Sequence, residues 1–178
     1  MCLHGYARDL TKWLLNLNGQ EVNVDNLTFG KDDLFSIKIE TDSHFASISI
    51  FCDSDEIGNN DEYTLLNTFL ALLEDKINNY ECSLADKIIN FDKDAIFSYV
   101  VDGYGNSENW KDSQYFSSIW ITLDLTPCFD GEVFILISTN ECDRVIWRKF
   151  NSETIREIFL PAGYVLKQLN LLLEHYSN

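Results

Sequence analysis

Asp53-x-Asp55-x-x-Gly58 is the stretch of this sequence that comes nearest to a metal-binding signature. With Asp53 at the first position of a calcium loop, Asp55 takes the third and Gly58 the sixth. The register then fails, because the fifth position is Ile57 and the twelfth is Thr64, where a bidentate glutamate is required. The segment therefore reads as a solvated acidic loop. Gly103-x-Gly105 is followed by Glu108 where a dinucleotide-binding turn needs a third glycine, and a carboxylate there repels phosphate. His4, His44 and His175 stand alone, with no metal-ligand spacing between any two. Cys2, Cys52, Cys82, Cys128 and Cys142 are odd in number and scattered, which suits reduced thiols better than a disulfide framework. No nucleophile elbow and no phosphate-binding P-loop is present. The expectation is a protein without metal, cofactor or catalytic centre; a site assembled from distant residues would be the enzyme alternative.

What the residues do offer is charge. Thirteen Lys and Arg against 29 Asp and Glu give a net charge of −16 over 178 residues. That excludes a free nucleic-acid binder, which needs cations to neutralise phosphates, and disfavours an anionic membrane surface. A cationic partner fits. The charge is also segregated. Residues 39–75 contain no Lys or Arg but nine carboxylates, and residues 112–143 contain six with no basic residue. Residues 144–167 carry five basic side chains against Glu153 and Glu157. An acidic face and a less acidic one are expected. Asp53, Asp55, Glu56, Asp61 and Glu62 are the candidate partner-binding carboxylates, with Tyr104 and Trp110 as aromatic anchors beside them. Asp61 and Glu62 would also complement a helix N-terminus.

The elements that must position these groups follow from hydropathy. At 46% apolar with 8 Gly and 2 Pro, the chain folds around a core, and 178 residues without a linker or repeat predict one domain spanning 1–178. The first twenty residues show no secretory leader, and no stretch reaches the length of a membrane span, so a cytoplasmic location is expected. Leu10, Trp13, Leu14 and Leu17 predict an N-terminal helix. Strict alternation predicts strands over 35–40 and 45–52, joined by a turn at 41–44. A helix over 62–79, capped by Asn60 or Asp61, would turn Leu65, Phe69, Leu72, Leu73 and Ile77 to the core. Ser83-x-x-Asp86 resembles a capping box before a short helix, with 88–91 equally readable as extended. Residues 95–101, rich in Phe, Tyr and Val, predict a strand, followed by a polar loop over 102–109. Ile119, Ile121, Leu123 and Leu125 predict another. Phe129-Asp130-Gly131 marks a turn, after which 133–139 and 144–150 form a hairpin. Residues 154–160 are extended up to Pro161, and Val165, Leu169, Leu172, Leu173 and Tyr176 predict a closing helix. The fold expected is α+β: an antiparallel sheet of about six strands with an N-terminal, a central and a C-terminal helix packed on it.

The C-terminal third carries a resemblance. Asp130-Gly131-Glu132-Val133-Phe134-Ile135-Leu136-Ile137 is followed by Asp143-Arg144-Val145-Ile146-Trp147-Arg148, then by Ile155-Arg156-Glu157-Ile158-Phe159-Leu160-Pro161-Ala162-Gly163 and a helix. This arrangement resembles immunity proteins of bacterial polymorphic-toxin and contact-dependent growth inhibition systems. The resemblance implies a small cytosolic protein that binds and neutralises one cognate toxin domain, often a nuclease, with Trp147 in the core and Pro161-x-Gly163 starting the helix. Combined with the acidic balance, it gives the expected mechanism: occlusion of a basic toxin domain by a carboxylate-rich surface. The alternative from composition is an acidic adaptor or DNA-mimic regulator of a nucleic-acid enzyme.

Overall fold

A computed structural model describes residues 25–177 except 43, 59, 60, 82, 84, 107 and 109, and the side chains of Asp25 and Trp110 are also outside it. The helix expected at Leu10, Trp13, Leu14 and Leu17 lies outside the described residues. The fold is α+β, with antiparallel pairing throughout.

The first sheet grows from the alternating segments. Strands β1 (Asp25–Lys31), β2 (Phe35–Asp42) and β3 (Phe45–Cys52) are neighbours in that order, while β4 (Asp55–Ile57) and β5 (Thr64–Leu65) both pair with β3. Ile37 faces Ile50 and Ile39 faces Ile48, and all four are fully buried. One sheet face is therefore apolar along both strands, as period-two patterning requires. Gly30 has φ 102°, and a side chain there would run into the Phe35 carbonyl at the β1–β2 turn. In β1 only Leu27 and Phe29 alternate with polar neighbours, a period-two signal too short to mark a strand by itself.

The second sheet joins β6 (Val133–Ser138), β7 (Cys142–Arg148) and β8 (Arg156–Pro161) in that order. It is covered on both sides, which explains the unbroken run Val133-Phe134-Ile135-Leu136-Ile137. Phe134, Leu136, Val145 and Trp147 join the core beneath the first sheet, with α1 (Leu66–Asn78) and α5 (Tyr164–Ser177). Val133, Ile135, Ile137 and Ile146 face a separate core built with α2 (Ala85–Ile88), α3 (Lys93–Asn106) and α4 (Trp110–Ile119). So the strands divide between two sheets, eight of them among the described residues, where about six in one sheet were expected.

Three local expectations are corrected. Residues 95–101 are helix, within α3, and the helix runs on through 102–106 where a loop was expected. The Asp92 carboxylate accepts the Ala95 N–H at 2.8 Å as an N-cap. Ile96, Phe97 and Val100 are buried at helical spacing, so burial on one helix face outweighs the β preference of the composition. Gly103 serves packing: a side chain there would press on the Phe116 ring of α4.

Residues 119–125 are the end of α4 and a run of turns. Trp120 alone bridges to Ile135, and Thr122 Oγ1 accepts the Trp120 indole N–H and the Phe134 N–H while donating to the Glu132 carbonyl. Helix α1 starts at Leu66, because residues 64–65 are drawn into β5, and no side chain caps it; Asn60 lies outside the described residues. Leu65, expected in the core, is half exposed, and Leu72 is partly so. The short helix, the 129–131 turn, the β6–β7 hairpin and the closing helix occur where expected.

Asp143, with 0% exposure, joins three of these pieces. Its carboxylate accepts Ser138 Oγ at 2.5 Å from β6 and the N–H groups of Gly163 at 2.9 Å and Val165 at 3.0 Å. It thereby fixes the β6–β7 hairpin to the start of α5 and complements that helix N-terminus. Gly163, at φ 72°, supplies the bend.

Candidate functional site

The acidic loop begins as a hairpin. Asp53 and Ser54 have φ of 50° and 63° and connect β3 to β4, with Cys52 opposite Asp55. Two left-handed residues in a two-residue connection match the right-handed twist of the flanking strands. The Asp53 and Ser54 N–H groups donate to the Leu34 and Asp32 carbonyls, tying this turn to the β1–β2 turn.

Asp55 is committed inward. Its side chain is only 15% exposed. Oδ2 accepts the Trp147 Nε1–H at 3.0 Å, and the carboxylate is ion-paired with Lys149 at 3.6 Å and Arg156 at 3.4 Å. It joins the first sheet to β7 and β8. Glu56 accepts Ser49 Oγ at 2.9 Å on the sheet face opposite Ile48 and Ile50. Asp53, Asp61 and Glu62 are exposed, and the Glu62 carbonyl receives the Cys128 thiol at 3.3 Å.

Beneath the loop, Glu132 is 9% exposed. It accepts the N–H groups of Phe150 and Gly58. Desolvation holds its carboxyl above the usual range, against those bonds and the nearby Lys149. A carboxyl whose folded value is raised keeps its proton longer in the folded state. Stability from this site therefore falls as pH rises from about 4.5, its ordinary value, through the higher folded one. Glu132→Gln should remove that decline: thermal melts over pH 4–8 should show the difference between parent and variant changing with pH, whatever their constant offset.

Tyr104 is elsewhere. It is half-buried on α3, edge-on to Trp120 with centroids 6.1 Å apart, and lines an open groove of about 690 Å³ with Asp75, Lys76, Glu81, Glu108 and Ser117. This groove lies at the C-terminal end of α1, whereas the acidic loop leads into its N-terminal end, about 20 Å away along the 13-residue helix. Trp110 is the first residue of α4, and its side chain lies outside the described residues. Tyr104 and the five carboxylates are thus not gathered into one patch.

The basic residues explain where the charge asymmetry goes. Arg144 is 4% exposed, bonded to Glu157 and to the Ile89 and Phe91 carbonyls. The Arg148 guanidinium lies 4.7 Å from the Phe97 ring centroid, and Lys38 pairs with Asp32. Half-buried Lys76 donates to the Ser117 and Trp120 carbonyls, and burial holds its ammonium below the usual value. Lys149 and Arg156 are likewise held, both by Asp55.

Sequence reasoning missed the apolar residues beside the loop. Phe45, Tyr63 and Leu65 are each more than half exposed, and Phe45 is paired with Leu65 across β3 and β5. Cys52 is fully buried, and burial pushes its thiol above the ordinary range. Cys52, Cys128 and Cys142 are free thiols. Among the described residues no three His, Cys, Asp or Glu side chains group to hold a metal ion, and no helix is long and apolar enough to cross a membrane.

A family model described as Immunity protein 42 matches residues 27–175. Comparison with curated proteins finds no match. The crystal structure of CdiI from Burkholderia dolosa AUO158 is similar with a TM-score of 0.62, at 14% sequence identity, over 84% of this chain and 99% of that one. At that identity the likeness is one of fold.

Proposed function

This chain belongs to the Immunity protein 42 family, and from that membership we propose that it neutralises a cognate toxin domain in the cytoplasm by binding it. The toxin is a basic domain, a nuclease, whose phosphate-binding groove the carboxylates enter in place of substrate. The reading requires no turnover and no cofactor. One observation carries it: residues 39–75, with Asp53, Asp61 and Glu62 exposed, supply no Lys or Arg, and Lys149 and Arg156, which reach this segment from the second sheet, are taken up by Asp55. Asp53, Asp61 and Glu62 make the charged contacts, with Glu56 beside them. Asp55 acts by holding the loop in place. Tyr104 borders a second acidic area and, with Trp110 at the start of α4, serves as an anchor for the same large partner.

The test is association with the toxin module encoded immediately upstream of this chain's gene, read by surface plasmon resonance and by the module's activity on DNA and RNA. The parent protein should abolish that activity at stoichiometric amounts. Reversing Asp53, Asp61 and Glu62 to Lys should slow association about 10- to 100-fold at low salt, with the gap narrowing at high salt. An unchanged on-rate in the folded variant would remove the loop from the interface. Full activity of the module in the presence of excess parent protein would remove the proposed function.

A further inference from the structure

We infer that Phe45, Tyr63 and Leu65 form the apolar anchor of the toxin interface, and that the toxin presents to them an apolar side chain framed by lysines or arginines. The inference rests on the reading that the acidic surface binds the toxin, and adds what holds the complex once it has formed.

Three observations lead to it. Phe45, Tyr63 and Leu65 are 51%, 55% and 51% exposed, although Ala46 and Ile48, on the same strand as Phe45, are fully buried. Phe45 and Leu65 are register partners, and paired residues project from the same sheet face with Cβ atoms about 5 Å apart. They therefore make one continuous apolar spot at the end of the sheet, with Tyr63 two residues ahead of Leu65 on the chain entering β5. Large side chains left exposed side by side, with nothing of the described chain laid over them, are the composition of an interface centre and not of an ordinary surface.

The surroundings select the occupant. Asp42 is the register partner of Phe45 across β2 and β3, so its carboxylate projects from the same face. Asp61 and Glu62 directly precede Tyr63. The spot is thus framed by carboxylates and lies within residues 39–75, which supply no cation. A second copy of this chain would bring the same carboxylates against these and is disfavoured by like charge. A basic protein surface is complementary in sign, and an apolar side chain at its centre would be enclosed by a ring of ion pairs that excludes water. The division of labour follows: carboxylates govern encounter, and the apolar spot governs residence.

The experiment measures both rates for the upstream-encoded toxin module against three proteins. For the parent, both are finite. For Phe45→Ala/Leu65→Ala, the off-rate should rise roughly 30-fold with an on-rate close to the parent's. For Asp53→Asn/Asp61→Asn/Glu62→Gln, the on-rate should fall at low salt with a smaller change in off-rate. An unchanged off-rate in the apolar double variant overturns the anchor, while a slowed on-rate in the charge variant leaves the acidic-surface reading standing. Rates unchanged in both overturn both, as does the absence of any complex. Should the double variant lose its circular-dichroism spectrum, hydroxyl-radical footprinting of the parent decides instead. Tyr63 should be protected in the complex, and equal labelling free and bound overturns the anchor.

Discussion

Asp143→Ala should lower stability by about 4 kcal/mol, far more than truncating any exposed carboxylate of the acidic loop. The carboxylate is fully buried and accepts three hydrogen bonds, from Ser138, Gly163 and Val165. Alanine leaves all three donors without their acceptor in a dry site. Bonds to a charged group each contribute about 1.5–3 kcal/mol, and each donor left unsatisfied in a buried site costs about 1–3 kcal/mol. For a chain of this length such a loss lowers the melting temperature by roughly 10 °C or more. Asp143→Asn is the informative control. Its amide oxygen can serve Ser138 and Gly163, which share Oδ1, but its NH₂ would point at the Val165 N–H, donor against donor. Its effect should be about half that of alanine. A calorimetric scan that places Asp143→Ala within about 2 °C of the parent, well short of the shift expected for this loss, would show that the hairpin and α5 are held together by other means.

Asp55→Lys should cost about 3–5 kcal/mol, whereas Asp53→Lys, two residues away, should change stability by about 0.5 kcal/mol. The contrast separates two carboxylates that look alike in the sequence. Lysine at position 55 would set a third cation beside Lys149 and Arg156 and leave the indole N–H of buried Trp147 without its acceptor. Lysine at 53 extends into solvent from an exposed turn. Urea unfolding, with midpoint and slope read separately, tests this. Equal midpoints for the two variants would mean that Asp55 does not join the sheets. The contrast also governs how the interface is probed. Reversing all five carboxylates together would mix a folding defect with a binding defect, so Asp55 must stay in place.

The parts of this fold that could be read in advance are those where one physical rule dominates. β2 and β3 alternate strictly because one face lies on the core, and α5 repeats Val165, Leu169 and Leu172 at helical spacing because one stripe does. Phe129-Asp130-Gly131 turns because Gly131 takes a φ of 77°. Where two rules compete, local reading chooses wrongly. In α3 the β-branched and aromatic content conceals an Asp92 cap and a helical burial pattern. Between Ile119 and Leu125 the apolar alternation does not carry through to burial: Ile121, Thr122 and Leu125 are inside while Leu123 is only partly so, because turns and not a strand set which side chains point inward. β1 borders the sheet with polar residues facing out, so it carries little hydropathy signal.

The candidate site is legible in the sequence as charge and illegible as geometry. The absence of Lys and Arg over residues 39–75 needs no coordinates. The pairing of Asp55 with Trp147, 92 residues further on, cannot be found without them. Nor does the sequence separate Leu65, half exposed on β5, from Phe69, fully buried on α1. Both are apolar and four residues apart, and only the capture of residues 64–65 by β3 moves the first out of the helix and into solvent.

The connection between β3 and β4 has only two residues, both in the left-handed region and both with N–H groups engaged. Such a link has almost no slack. Under the proposed function, a partner would meet the backbone of this turn already in its final position, so little conformational entropy would be lost there when the complex forms. The same stiffness denies the loop any means of remoulding itself around a differently shaped surface. Rigidity at this corner thus favours fidelity to a single partner over tolerance of its variants.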